Sequence, residues 1–242
     1  MTKKYRWIFG ILITICMSMI LILISSIALD YHRNVWRYLG GPVGDGIAPQ
    51  KVIEWLLIVT PVWTICGWWL NNQFSLVQMT VFRYGNIGVW WKLQIKEVYL
   101  LHSWYYILMF VVLKLRIHKY WTDSLYLELL MIFIHSLFML TIMILVRIVV
   151  NNMLASFTCI LMLEILSIYA SAEKWFSPKY CPFVWGMYNA SNQAYPNKGY
   201  DIDKTIVLSV IFIIVLNVAV FVDKKLLKRS LNHGKNRTDR SE

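Results

Sequence analysis

From Trp7 to Leu29 the chain runs for about 23 residues without a charged side chain, and comparable apolar runs recur to its end. Roughly 20 apolar residues in a helix rising 1.5 Å each cover the ~30 Å hydrocarbon core of a bilayer. A run that is apolar on every side has no polar face to turn towards water. Within lipid the backbone must satisfy its own hydrogen bonds, which leaves helices or closed barrels. Barrel strands alternate apolar and polar residues over about ten positions, and these runs do not alternate. The expected fold is therefore all-α and polytopic. Composition agrees, because 58% hydrophobic and 15% charged residues lie outside the usual balance of a soluble domain. The net charge of +11 gathers in the carboxyl-terminal tail and in short loops beside the spans. It is accounted for by topology and lipid headgroups, with no call for nucleic acid.

Hydropathy places six spans at about 7–29, 52–70, 98–113, 125–150, 153–170 and 205–222, within one transmembrane domain covering 1–242 and ending in a basic tail, 223–242. Lys3, Lys4 and Arg6 precede the first run. That run exceeds the 7–15-residue apolar region of a signal peptide and is followed by more spans, so it reads as a helix whose amino terminus is cytoplasmic. Six crossings put both termini in the cytoplasm of a cell-membrane protein, with fourteen Lys and Arg on the inner side and ten outside. Pro61 is expected to bend the second span, and Asp123-Ser124 to cap the fourth. Asn151-Asn152 reads as a tight inner turn. Three polar side chains are expected at the margins: Glu54 facing water, His102 near the inner boundary, and Arg147 reaching to the headgroups.

Two ionisable residues lie well inside spans, His135 in the fourth and Glu164 in the fifth. Such groups are costly in lipid and turn to the bundle interior or to a water-filled cavity. Both fall in the outer half and can pair, either as a polar contact between helices or as a substrate-lining, proton-sensitive site. Enzymatic chemistry is not expected. There is no His-Glu-x-x-His for a metal and no Gly-x-Ser-x-Gly for a nucleophile. Gly41-Pro42-Val43-Gly44-Asp45-Gly46 is followed by Ile47-Ala48, so it lacks the lysine of a phosphate-binding loop and reads as a turn. The outer segment 171–204 is rich in aromatics. Its Cys181-Pro182-Phe183-Val184-Trp185-Gly186-Met187 suits a re-entrant or interfacial element, and Pro182, Trp185 and Met187 are candidates for an outer gate or substrate contact. No disulfide is expected of Cys16, Cys66, Cys159 and Cys181, three of which fall in apolar runs.

Between the second and third spans, residues 74–95 mix apolar and polar side chains in an amphipathic pattern, with Gly85 and Gly88 as a turn between two short helices and Trp90-Trp91 as interfacial anchors beside Lys92. Arg83-Tyr84-Gly85-Asn86, followed three residues later by Trp90-Trp91-Lys92, resembles the motif of ABC-2-type permease subunits. The likeness is greatest to small ones that export, or give immunity to, bacteriocins and lantibiotics in Gram-positive bacteria. Six spans, internal ends and Pro182-Phe183-Val184-Trp185-Gly186-Met187 before the last span extend the resemblance. Ile87-Gly88-Val89 departs from the basic patch usual there. The resemblance implies a non-enzymatic permease that carries no cofactor itself, a separate ATPase subunit binding ATP and Mg, and a second permease copy or related permease. It also implies a peptide or amphipathic substrate. Arg83, Tyr84, Gly85, Asn86, Trp90, Trp91 and Lys92 would then form a cytoplasmic coupling segment. The alternative is a membrane immunity or sensor protein without an ATPase that binds a peptide through its outer loop.

Overall fold

A computed structural model describes residues 3–30, 39–42, 49–75, 87–116, 123–173, 175–191, 193 and 199–222. They form six long helices, α1 (Lys3–Asp30), α2 (Pro49–Ser75), α3 (Ile87–Arg116), α4 (Asp123–Val150), α5 (Met153–Ala172) and α6 (Ile202–Val222), with three single 3₁₀ turns between α5 and α6. Among the described residues there is no strand, only an isolated bridge between Ser191 and Tyr200. Five helices are long and apolar enough to cross a membrane, over Pro49–Phe74, Gly88–Arg116, Leu125–Val150, Met153–Ala172 and Ile202–Ala219. In α1 the described side chains form an apolar stretch over Ile13–Ser26. This is the helical architecture of a membrane protein.

The helices lie around α4, which packs against α2, α3, α5 and α6, while α1 packs on α2 and α3. Lipid tails are as apolar as leucine, so apolar burial gives little drive for helices to associate in a membrane, and close packing and hydrogen bonds must hold them. The sequence supplies both. Met139, Leu140 and Met143 of α4 are fully buried, whereas Val207, Ile211, Ile214 and Val215 of α6 face outward. Towards the end of the bundle where α4 finishes, the Tyr99 hydroxyl of α3 donates to Asn217 of α6 at 3.0 Å and lies 3.0 Å from the Thr141 hydroxyl of α4. One phenol thereby ties three helices.

The link between α4 and α5 is built as the sequence suggests. Asn151 takes the left-handed conformation (φ 54°) between α4 and α5, which asparagine tolerates better than most residues. Asn152 then caps α5 by accepting from the Ala155 amide at 3.2 Å. Pro61 sits inside α2 without ending it.

Three expectations are corrected. α3 starts at Ile87, about three turns before the predicted 98, and takes in Gly88 and the tryptophan pair as one helix. A glycine in a first turn costs little, because the amides there have no intrahelical partner. Trp90 and Trp91 are at most 1% exposed, so they are core residues and not interfacial anchors. Arg147 likewise turns inward: its guanidinium lies 4.6 Å from the Phe74 ring centroid and donates to Asn151 at 2.6 Å. Burial against an aromatic face and an amide replaces the headgroup contact. Arg83, Tyr84, Gly85 and Asn86 lie outside the described residues.

Candidate functional site

At the level where α2, α4 and α5 meet, the sequence has placed three polar side chains in an apolar interior. His135 of α4 and Glu164 of α5 do pair: the imidazole Nε2 lies 3.0 Å from one carboxyl oxygen and 3.2 Å from the other. Both side chains are at most 1% exposed. A third member was not anticipated. The Trp55 indole of α2 donates to the same Glu164 carboxyl at 2.7 Å, and its ring centroid lies 6.0 Å from that of His135. At 1.5 Å per residue, His135 sits roughly 18 Å into α4 and Glu164 roughly 12 Å from the end of α5, well away from the helix ends.

Among the described residues the buried imidazole Nδ1 has no hydrogen-bond partner. A buried N–H left unpaired is the rarer defect, so the tautomer with its proton on Nε2 fits best, donating to the carboxyl. The carboxyl then accepts from both an indole and an imidazole in a medium of low dielectric, where each bond is strong and each loss is costly. Such a network ties α2, α4 and α5 together in the bundle interior.

What lies above is the loop between α5 and α6. Pro178–Tyr180, Pro182–Val184 and Tyr188–Ala190 form successive 3₁₀ turns, and the middle turn packs on α5. Phe183 meets Phe138 of α4 at 6.1 Å between ring centroids, and Trp185 meets Phe212 of α6 at 6.4 Å. Phe138 is more than four turns into α4, so the loop is re-entrant. Irregular backbone at membrane depth survives only where protein surrounds it, and here Val184 and Met187 are fully buried. Gly186 lies directly over His135: an added Cβ would collide with the imidazole. Of the predicted gate residues, Trp185 and Met187 are buried and Pro182 is half-buried. They close the bundle from within and do not present themselves at its surface.

The loop is held by its neighbours. The Asn189 amide donates to the Gly40 carbonyl at 2.9 Å, and its side chain to the Gly41 carbonyl at 2.6 Å. Tyr200 donates to the Met187 carbonyl at 2.8 Å, and the Trp185 indole to Pro178 at 3.1 Å. Gly41, at φ +84°, also lets Met187 approach to within 2.6 Å of where a Cβ would stand. Gly40 and Gly41 thus serve as a seat for the loop.

A second polar cluster adjoins the first. Ser136 follows His135 on α4; its hydroxyl accepts from the Trp63 indole at 2.9 Å and lies 3.1 Å from His102 Nε2. His102 is therefore in the middle of the bundle and fully buried, not at its inner boundary. Glu54, expected to face water, is only 9% exposed and accepts from Gln50 at 2.8 Å. Glu128, two turns nearer the start of α4 than His135, is fully buried, and among the described residues neither of its carboxyl oxygens has a hydrogen-bond partner. Its place near a helix start, where an acid ordinarily serves the amino terminus, conceals that burial in the sequence.

At the other end, the coupling candidates divide. Trp90 and Trp91 stand edge-on to Phe74 at 5.8 and 5.9 Å between ring centroids, while Lys92 is exposed. His135 and Glu164 thus form one site with Trp55, beneath the loop that carries Trp185 and Met187, while Trp90, Trp91 and Lys92 lie elsewhere, at the start of α3. Comparison with protein-family models, with curated proteins and with solved structures finds no match.

Proposed function

We propose that this chain is the transmembrane subunit of an ATP-driven exporter for a hydrophobic or amphipathic peptide, serving bacteriocin or lantibiotic export or self-immunity. It crosses the cell membrane six times with both termini in the cytoplasm. A separate ATPase binds ATP and Mg, and a second permease copy or a related permease completes the pathway. The observation that carries this reading is mechanical: α3 is one uninterrupted helix from Ile87, immediately after the Arg83–Asn86 motif, to Arg116. At its base Trp90 and Trp91 are clamped against Phe74 of α2, whose ring also carries the Arg147 guanidinium of α4. A push delivered to the motif therefore reaches three spans, with no flexible joint at Gly88 to absorb it. Rigid elements of this kind move as units about their packed interfaces. The plugged His135–Glu164–Trp55 site is the part that such movement would open.

The test is co-purification with the candidate ATPase, using Arg83→Glu because the buried tryptophans cannot be removed without harming the fold. Charge reversal is expected to abolish stimulated ATP hydrolysis at unchanged thermal stability of the permease. Absence of any bound ATPase, with resistance unaffected by Arg83→Glu, defeats the proposal. A second reading, a peptide-binding immunity or sensor protein, is favoured by Trp175, Phe176 and Tyr180, which are 60–76% exposed on the plug loop. It requires peptide binding that persists without an ATPase.

A further inference from the structure

A groove of about 380 Å³ runs along the outer side of α3, lined by Lys92, Ile95, Lys96, Tyr99, Leu100 and Ser103. These positions share one face of the helix, since at about 100° per residue they fall within a sector of roughly 140°. Its chemistry is graded. Lys92 and Lys96, one turn apart and both exposed, stand at the end where α3 begins. Leu100, 59% exposed, lies a turn further along, and Ser103 beyond it. Between these ends the Tyr99 hydroxyl is fixed by Asn217 and Thr141, so one wall is rigid. Glu97 sits about 100° round the helix from Lys96 and does not line the groove.

α3 has 30 residues, about 45 Å of helix, against a hydrocarbon core of about 30 Å. The excess allows its first turns to lie among headgroups while Leu100 is in the acyl region. We infer that this groove binds an anionic membrane lipid, its phosphate between Lys92 and Lys96 and the start of an acyl chain along Leu100. Phosphate charge complements the lysine pair, and basic pockets beside transmembrane helices are suited to such headgroups. The gradient favours a lipid over a soluble acidic partner, because a protein surface that neutralised the lysines has no means of following the groove to Leu100. The inference is independent of the transport reading.

Native mass spectrometry of the full chain, released from mixed phosphatidylglycerol and phosphatidylcholine, tests it. Retention of phosphatidylglycerol over phosphatidylcholine is expected. Lys92→Gln/Lys96→Gln should reduce that preference by about thirtyfold, as two surface lysines at ~1 kcal/mol each imply. Lys204→Gln, at the opposite end of the bundle, should leave it intact. Leu100→Asn should weaken retention without altering thermal stability. Equal retention of the two lipids, or a preference that survives the double substitution, overturns the inference. So does displacement of the lipid by millimolar inorganic phosphate, which would reveal a simple anion site, or dependence of retention on a co-purified ATPase.

Discussion

Glu164 is the residue on which most depends. Its carboxyl is the common acceptor of Trp55 and His135, so one side chain joins three helices where water cannot replace a lost bond. Removing it entirely, as Glu164→Ala, strands an indole N–H and an imidazole and leaves a cavity. A loss of about 3–5 kcal/mol is expected, read as a large fall in thermal midpoint in detergent. Glu164→Gln keeps an acceptor for Trp55 but offers an amide where the carboxyl met His135, at an expected cost of about 1–2 kcal/mol. The glutamine variant should fold and fail in transport. Wild-type transport by that variant would reduce the pair to a contact that holds helices together. The pairing itself was legible: two ionisable residues in adjacent antiparallel spans, both in the outer half, have few other partners. Trp55 was not, because an indole near the start of a span looks like any interfacial tryptophan until its ring is seen to point inward.

Among elements, α3 departs furthest from its reading. Hydropathy starts the span at Val98, since Lys92, Gln94, Lys96 and Glu97 lower the average before it, but the helix has no such boundary. Its early turns bury Trp90, Trp91 and Ile95 against Phe74 and the bundle, while Lys92 and Lys96 stay exposed. The tryptophan pair therefore predicts differently in its two roles. As interfacial anchors, Trp90 or Trp91 would be replaceable at little cost. As buried core beside Phe74, Trp90→Ala should cost about 3–5 kcal/mol, whereas Val89→Ala, at an exposed neighbour, should leave the thermal midpoint close to wild type. Circular dichroism melts of the two variants in matched detergent decide between these roles. The plug loop shows the opposite case: its Pro, Gly and aromatic residues suited a re-entrant or an interfacial element alike, and its seat on Gly40 and Gly41 depends on chain segments about 150 residues apart.

For the whole molecule the open count is five crossings or six, and it has a clean readout. If α1 crosses along with the other five helices, reporters fused at residues 2 and 240 lie on the same side of the membrane. Cytoplasmic signals from both are expected, with a reporter at 193 on the opposite side. Opposed signals from the two ends would show α1 lying outside the bilayer. What the sequence determined by itself is the class of fold: long, all-round apolar runs leave only helices that span lipid, and Asn151-Asn152 marks the turn between two of them. It also named the ionisable residues whose burial needs a reason. Tertiary structure alone decided which faces meet. A helix that is apolar on every side carries no periodic signal of its partner, so nothing in the chain's local pattern distinguishes Trp55 facing Glu164 from Trp68 facing outward. That choice was made by packing around α4, where polar groups with no water to turn to found one another.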